Sequence, residues 1–411
     1  MLRNINKYKF FLLFTLPYTL YPIPYLHSQT KVTTIINASL LGGQYFLDDE
    51  NASFEGNLNL FASPVIKFSD NVELVPLYTG YYNGTQDVQE LAGGGVLTRE
   101  RQNHAVSLKY VRSKDFNKFK PRISYSISYV KETEDEDWGD GLFDYNTMSA
   151  GIEAEQERPD AAFVESYDFY MIKYPNYSTL LSQSGTVIDT ATYSELSVNA
   201  GTDVLDNANH KFAFKYTWFP EPLVLSGGYE FTYRTYGDQA VVAKPATGTP
   251  YFTSDKRKDL VNAVSFSAVR NIKPVYLRGV FRTTWLSSNQ NSYDSSRTKY
   301  VDDNYSYLEF YLAPEMSMKL KNESLFSFST GLKKLYYLGR LVQDASGNYS
   351  GSKIHQTSWL STLSARYPLT NRFFARASYS YQISSSNMKY EAGYRYNYRA
   401  SNYLLGIEWE F

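Results

Sequence analysis

Along most of the chain apolar and polar residues alternate with a period of two, in segments of roughly ten residues separated by turns. The last segment shows this most clearly. Phe411, Trp409, Ile407, Leu405 and Tyr403 fall on one face, and Glu410, Glu408, Gly406 and Asn402 on the other, with Leu404 as the exception. Phe212, Phe214, Tyr216 and Trp218 oppose Lys211, Ala213, Lys215 and Thr217. Leu225, Tyr229, Phe231 and Tyr233 oppose Ser226, Glu230, Thr232 and Arg234. Val275, Leu277, Phe281 and Trp285 oppose Arg278 and Arg282, while Leu308, Phe310, Leu312, Met316 and Met318 oppose Glu309, Glu315 and Lys319. Successive strand side chains point to opposite faces, so the pattern predicts strands with one apolar and one wet side. Helical periodicity is almost absent.

The turns add a second rhythm. Short ones fall at 69–71, 219–222, 271–273, 321–322 and 369–371, and longer polar connections near 84–99, 237–257, 287–302, 340–352 and 384–397. Transmembrane barrels alternate short periplasmic turns with long external loops. Sixteen strands are expected, starting near residues 31, 53, 72, 101, 121, 143, 190, 209, 223, 258, 274, 303, 323, 353, 370 and 398. The stretch 157–189 does not fit this count; an extra strand pair, a long loop and an inward plug are all open for it. The expected fold is an all-β, closed antiparallel transmembrane barrel of about sixteen strands (fourteen to eighteen), because lipid tolerates no open sheet edge.

Alternation also suits a soluble sandwich, and composition separates the two. The chain holds 39 Tyr and 25 Phe among 411 residues. Tyr combines an apolar ring with a wet hydroxyl and suits the two rims of a membrane barrel. Arg3, Lys7 and Lys9 precede an apolar run from Phe10 to Leu26, with Ser28 at a plausible cleavage point. Residues 1–28 are therefore expected to be a signal peptide and 29–411 the barrel. Pro17, Pro22 and Pro24 make the leader a poor permanent helix. Beyond it no apolar run reaches the length of a membrane helix.

The ending Gly406-Ile407-Glu408-Trp409-Glu410-Phe411 resembles the C-terminal assembly signal of Gram-negative outer-membrane β-barrels, the porin-like proteins. Phe411 takes the terminal aromatic position, Trp409 the hydrophobic position two before it and Gly406 the glycine position; Leu405 departs from the polar residue usual before that glycine. The resemblance implies an outer-membrane location and the barrel assembly machinery as a partner, beside outer-membrane lipid and lipopolysaccharide. Homo-oligomerisation and docking on an envelope complex stay open. The segment from Ser385 to Phe411 is also similar to the ends of barrels in exopolysaccharide-export proteins, although the periplasmic repeats of those proteins are missing here.

Charge and chemistry narrow the function classes. Lys+Arg is 41 and Asp+Glu 42, with no basic stripe, so a nucleic-acid partner is not expected. Without cysteine there is no disulfide, thiolate metal site or cysteine nucleophile. His104, His210 and His355 lie on different strands with no local Ser or Asp signature, and the odd spacing of His104 and Ser107 puts them on opposite faces. The run Glu132 to Asp137 lacks the spacing of a calcium hand and suits a solvated loop. No catalytic residue, metal ligand or cofactor is expected. Candidate lumen-lining residues are Lys211, Lys215, Glu230, Arg278, Arg282, Glu309, Glu315 and Arg376, with Lys109, Arg122 and Glu55 facing the same way. The first expectation is a channel passing small hydrophilic solutes, with a slight anion preference, or exporting a secreted polymer; loops 84–99 and 237–257 would narrow its mouth. A structural or adhesive barrel and a membrane hydrolase are the alternatives.

Overall fold

In the computed structural model the described residues are 30–48, 50–91, 95–131, 136–177, 203–244, 248, 251–293, 299–391 and 396–411. The expected leader lies outside them. Strands β1 (Lys31–Leu47), β2 (Glu50–Ser69), β3 (Val72–Leu91), β4 (Gly95–Lys114), β5 (Asn117–Phe119) and β6 (Arg122–Lys131) come first. β7 (Tyr145–Glu157), β8 (Ala161–Lys173), β9 (Asn207–Trp218), β10 (Leu223–Ala243), β11 (Tyr251–Ile272) and β12 (Val275–Ser288) follow. A small separate pair, β13 (Ser292–Tyr293) and β14 (Tyr300–Val301), precedes β15 (Tyr307–Lys319), β16 (Leu325–Gln343), β17 (Tyr349–Pro368), β18 (Phe373–Ser386) and β19 (Tyr398–Glu410).

The large strands pair antiparallel in chain order, and β19 returns to pair with β1 from Asn37↔Glu410 to Leu47↔Ala400. β5 and β6 form one stave. Both lie between β4 and β7, and the partners Arg112↔Phe119 and Lys109↔Arg122 keep a single register through them. Pro121 interrupts the ladder there because it has no N–H to donate. Counted so, sixteen staves close on themselves. Closure gives every stave two neighbours, which hydrocarbon demands of backbone polar groups.

The outer face is apolar. Val106, Ile123, Met148, Phe212, Phe266, Leu312, Phe328, Leu363, Leu405 and Ile407 are all exposed large apolar side chains on it. Several of its polar groups bond to one another. Tyr78 Oη lies 2.9 Å from His104 Nδ1 and Tyr167 Oη 2.8 Å from His210 Nδ1. Tyr229 Oη donates to Asn262 Oδ1 at 2.7 Å, Trp359 Nε1 to Thr330 Oγ1 at 2.5 Å, and Tyr403 Oη to Gln44 Oε1. Mutual satisfaction of this kind suits a surface that meets lipid rather than water. The opposite face is concave, because its side chains meet across an intervening stave: Arg122 of β6 reaches Asp168 of β8, and Arg366 of β17 reaches Glu408 of β19.

Several expectations need correction. The residues of 84–99 and 237–257 are mostly paired strand rather than loop. The β3–β4 ladder resumes after an irregularity between Thr85 and Gln89, and the β10–β11 ladder after one between Thr235 and Ala240. A bulge absorbs the polar, turn-like residues without ending the strands. The undecided stretch 157–189 contains a full stave, β8, which pairs directly with both β7 and β9. The strand expected near 190 lies outside the described residues, and β8 pairs directly with β9. The sixteen-strand total stands with β8 as the seventh stave. An even-stranded closed barrel with an apolar outer belt is an outer-membrane β-barrel.

Candidate functional site

The inner face carries the charge, arranged in three tiers. Near the short turns, Lys118 meets Glu157 at 2.6 Å, Lys120 meets Glu153 at 2.8 Å and also Glu155, and Arg122 meets Glu153 at 2.9 Å and Asp168 at 2.6 Å. The spacing of two from Lys118 through Lys120 to Arg122 and along β7 puts these groups on one face, the antiparallel register sets them opposite one another, and Asp168 joins them from β8. Four cations, counting Lys109 opposite Arg122, and four carboxylates thus form a neutral ladder up one side of the wall.

The second tier holds the residues singled out from the sequence. Lys211 Nζ lies 3.3 Å and Arg282 Nη2 2.9 Å from the same Glu230 carboxylate oxygen. Arg278 faces Glu315 at 3.8 Å, Glu309 faces Lys333 at 3.8 Å, and Arg376 meets Glu408 at 3.1 Å. Lys215 shares the face of Lys211 and has no carboxylate within ion-pair distance among the described residues. Across β15–β18 the same face is rich in hydroxyls: Ser317 and Ser327 are 3.0 Å apart and Thr362 and Ser380 2.9 Å. A cavity of ≈ 500 Å³ lies against this wall, lined by Arg278, Tyr311, Glu315, Lys333, Ser358 and Thr362 among others.

The third tier, at the long-loop end, was not singled out from the sequence. Asp259 is fully buried, and Arg257 holds it by two bonds, Nε to Oδ1 and Nη2 to Oδ2, both 2.9 Å. Tyr236 donates to Asp259 Oδ2 at 3.3 Å, and Arg234 stands 3.9 Å from it while donating to Asn209 Oδ1 at 2.9 Å. The Arg257 guanidinium lies 4.6 Å from the Tyr236 ring centre and 4.5 Å from that of Tyr305, so it clamps the turn before β15 to the wall. Arg101, on β4, donates to Tyr145 at 2.5 Å and to Ser128 at 3.1 Å. Arg257 was missed because 237–257 reads as a loop, and Asp259, at the start of the expected strand, was left without its partner; their spacing of two, beside the outward Leu260, was the available signal.

Short connecting segments at this end bond to one another along the rim. Asn176 Nδ2 donates to the carbonyls of Gly139 and Gly141 at 2.6 and 3.1 Å, and the rings of Phe143 and Tyr177 are 5.9 Å apart. Gln290 bridges the Val242 amide and the Ala240 carbonyl at 2.9 and 2.8 Å. Burial pushes the Tyr174 and Tyr177 hydroxyls above the ordinary phenol value, with Tyr145 and Tyr236 near the first and Tyr305 near the second. Tyr177 follows β8 and Tyr305 precedes β15, so both lie at the long-loop end of the barrel. Asp144 accepts the Val130 amide at 2.7 Å on one oxygen and leaves the other buried without a partner. Burial raises its pKa.

The closing seam holds the last predicted set. Gly406 pairs with Leu41 on one side and Arg376 on the other, and a Cβ at this position would run into the Leu40 carbonyl. Trp409 packs on Phe373 at 6.4 Å, and Arg372 lies 4.5 Å over the ring of Phe411. The Phe411 and Ile36 backbones exchange two hydrogen bonds, at 2.9 and 3.0 Å. His104, His210 and His355 all face outward, so the lumen brings none of them together with a serine or carboxylate. His104 and His210 bond tyrosines, and His355 lies beside the Tyr336 ring. No group of three or more metal-ligating side chains occurs among the described residues.

No protein-family model and no curated protein matches the chain. Among solved structures it is similar to OmpT, an outer-membrane protein of Vibrio cholerae in its trimer form, at 11% identity and a TM-score of 0.44, covering 92% of this chain and 99% of that one. It is similar to an anion-selective porin from Comamonas acidovorans at 12% identity and a TM-score of 0.43, over 93% and 100% of the two chains. A bacterial polysaccharide outer-membrane secretin gives 9% identity and a TM-score of 0.41, over 92% and 98%. Likeness at this level concerns barrel form and assigns no solute.

Proposed function

We propose that the chain is a narrowed aqueous channel through which small hydrophilic solutes cross the outer membrane. One observation carries this reading. The inner wall is charged and hydroxyl-rich along its height, while the outer wall carries a broad belt of exposed apolar side chains. Paired ions such as Lys211, Glu230 and Arg282 keep such a wall wettable without a large net field. Lys215 and Arg101, which no carboxylate neutralises among the described residues, support a weak preference for anions. The clamp of Arg257 on Tyr305 suits a restricted opening better than a wide one. Swelling of proteoliposomes in sugars and amino acids of increasing size tests this. Uptake should fall steeply with solute size; liposomes that hold folded protein and admit no solute would overturn the reading.

A further inference from the structure

One outward-facing patch breaks the apolar pattern of the outer wall. Arg112 and Lys114 end β4 on the face of Val106, Leu108 and Tyr110, Arg158 begins the turn after β7, and Glu165 lies on the outer face of β8. The register puts Arg112, Phe119, Ala154 and Glu165 in one cross-strand row. Arg112, Lys114, Phe119, Arg158, Phe163 and Glu165 line a single groove of ≈ 510 Å³ at the short-turn end. Lys118 and Glu155, which also line it, belong to the paired first tier of the lumen, but its outward charges are not satisfied in the way of Tyr78 with His104. Among the described residues Arg158 donates to Gln156 at 3.1 Å, and none of the three cations has a carboxylate within ion-pair distance. A carboxylate facing outward so near the apolar belt is unfavourable unless a cation meets it. Exposed Phe116 and Phe119 beside the groove mark the depth at which headgroups meet hydrocarbon.

We propose that this groove binds the headgroup of a phospholipid from the leaflet at the short-turn end, one carrying both a phosphate and a primary ammonium. Arg112, Lys114 and Arg158 take the phosphate, Arg112 and Arg158 with forked donors suited to its oxygens. Glu165 takes the ammonium, and Phe119 and Phe163 lie along the upper acyl chain. The site depends on the membrane placement of the barrel and not on conduction.

The test is native mass spectrometry of the full refolded chain with phosphatidylethanolamine, phosphatidylglycerol or diacylglycerol as the added lipid. The wild type and a K321A control at another short turn should keep phosphatidylethanolamine under mild activation. The R112A/K114A/R158A variant should lose retention of both phospholipids on the order of a hundredfold, as three interfacial cations supply. The E165Q variant should lose the preference for phosphatidylethanolamine over phosphatidylglycerol and nothing else. Heat-modifiable gel mobility, unchanged in these variants, shows that they fold. Equal retention by the triple variant, or diacylglycerol held as well as phospholipid, would overturn the proposal.

Discussion

Replacing Arg257 with alanine is the most informative single change, because it strands a charge that water cannot reach. Asp259 is fully buried and takes two charge-assisted bonds at 2.9 Å from that one guanidinium, leaving only Tyr236 at 3.3 Å and Arg234 at 3.9 Å. Breaking a buried pair by removing one partner costs about 3–5 kcal/mol. The stacks on Tyr236 and Tyr305 add ~1–2 kcal/mol for a desolvated guanidinium. Retained Arg234 can move toward Asp259, so the lower part of the range, about 3 kcal/mol, is expected. The assay is reversible urea unfolding of the refolded barrel in lipid vesicles, followed by tryptophan fluorescence. R257A/D259A should cost less than R257A alone, since it removes the stranded carboxylate as well. A loss below about 1 kcal/mol in R257A, or a double variant no better than the single one, would refute the assignment of Arg257 and Asp259 as a buried clamp.

Three further outcomes are expected. Deleting Phe411 or replacing Gly406 with valine should lower barrel assembly in cells, the first by removing two seam bonds to Ile36 and the second by forcing β19 from β1; undiminished heat-modifiable barrel would count against the seam. Changing both Arg278 and Arg282 to glutamate should shift reversal potentials in a salt gradient toward cation selectivity, and no shift would mean that they lie off the permeation path. Asp144 titrates above its ordinary value of 3.8 because burial disfavours the carboxylate. Docking of its loop is therefore strongest below that value and weakens as pH rises through the folded pKa. Intrinsic-rate-corrected hydrogen exchange at the Val130 amide should become less protected across that rise, and D144N should remove the dependence.

Much of the barrel could be read from the chain because one face of each stave meets hydrocarbon, which leaves a period of two that few other environments impose. β9, β12, β15 and β19 were legible for that reason. β8 was harder, since Glu165 and Asp168 fall on opposite faces and blur the alternation. The tops of β3, β4, β10 and β11 rise past the apolar belt, where polar residues on both faces imitate loops. The second tier of the lumen was visible as charges opposite apolar runs. Its pairings were not, because Glu230 of β10 and Arg282 of β12 meet only through the curvature of the wall. In the third tier only the Arg257–Asp259 pair is local; the contacts that join β4 to β7 and β11 to the turn before β15 link elements far apart in sequence, and no local spacing encodes them.

The central claim is an open aqueous lumen, and single-channel conductance of the refolded chain in a planar bilayer tests it most directly. Steady current steps that scale with salt concentration, and that grow in R257A as Tyr305 is released, are the predicted result. An electrically silent bilayer containing demonstrably folded and inserted barrel would contradict it.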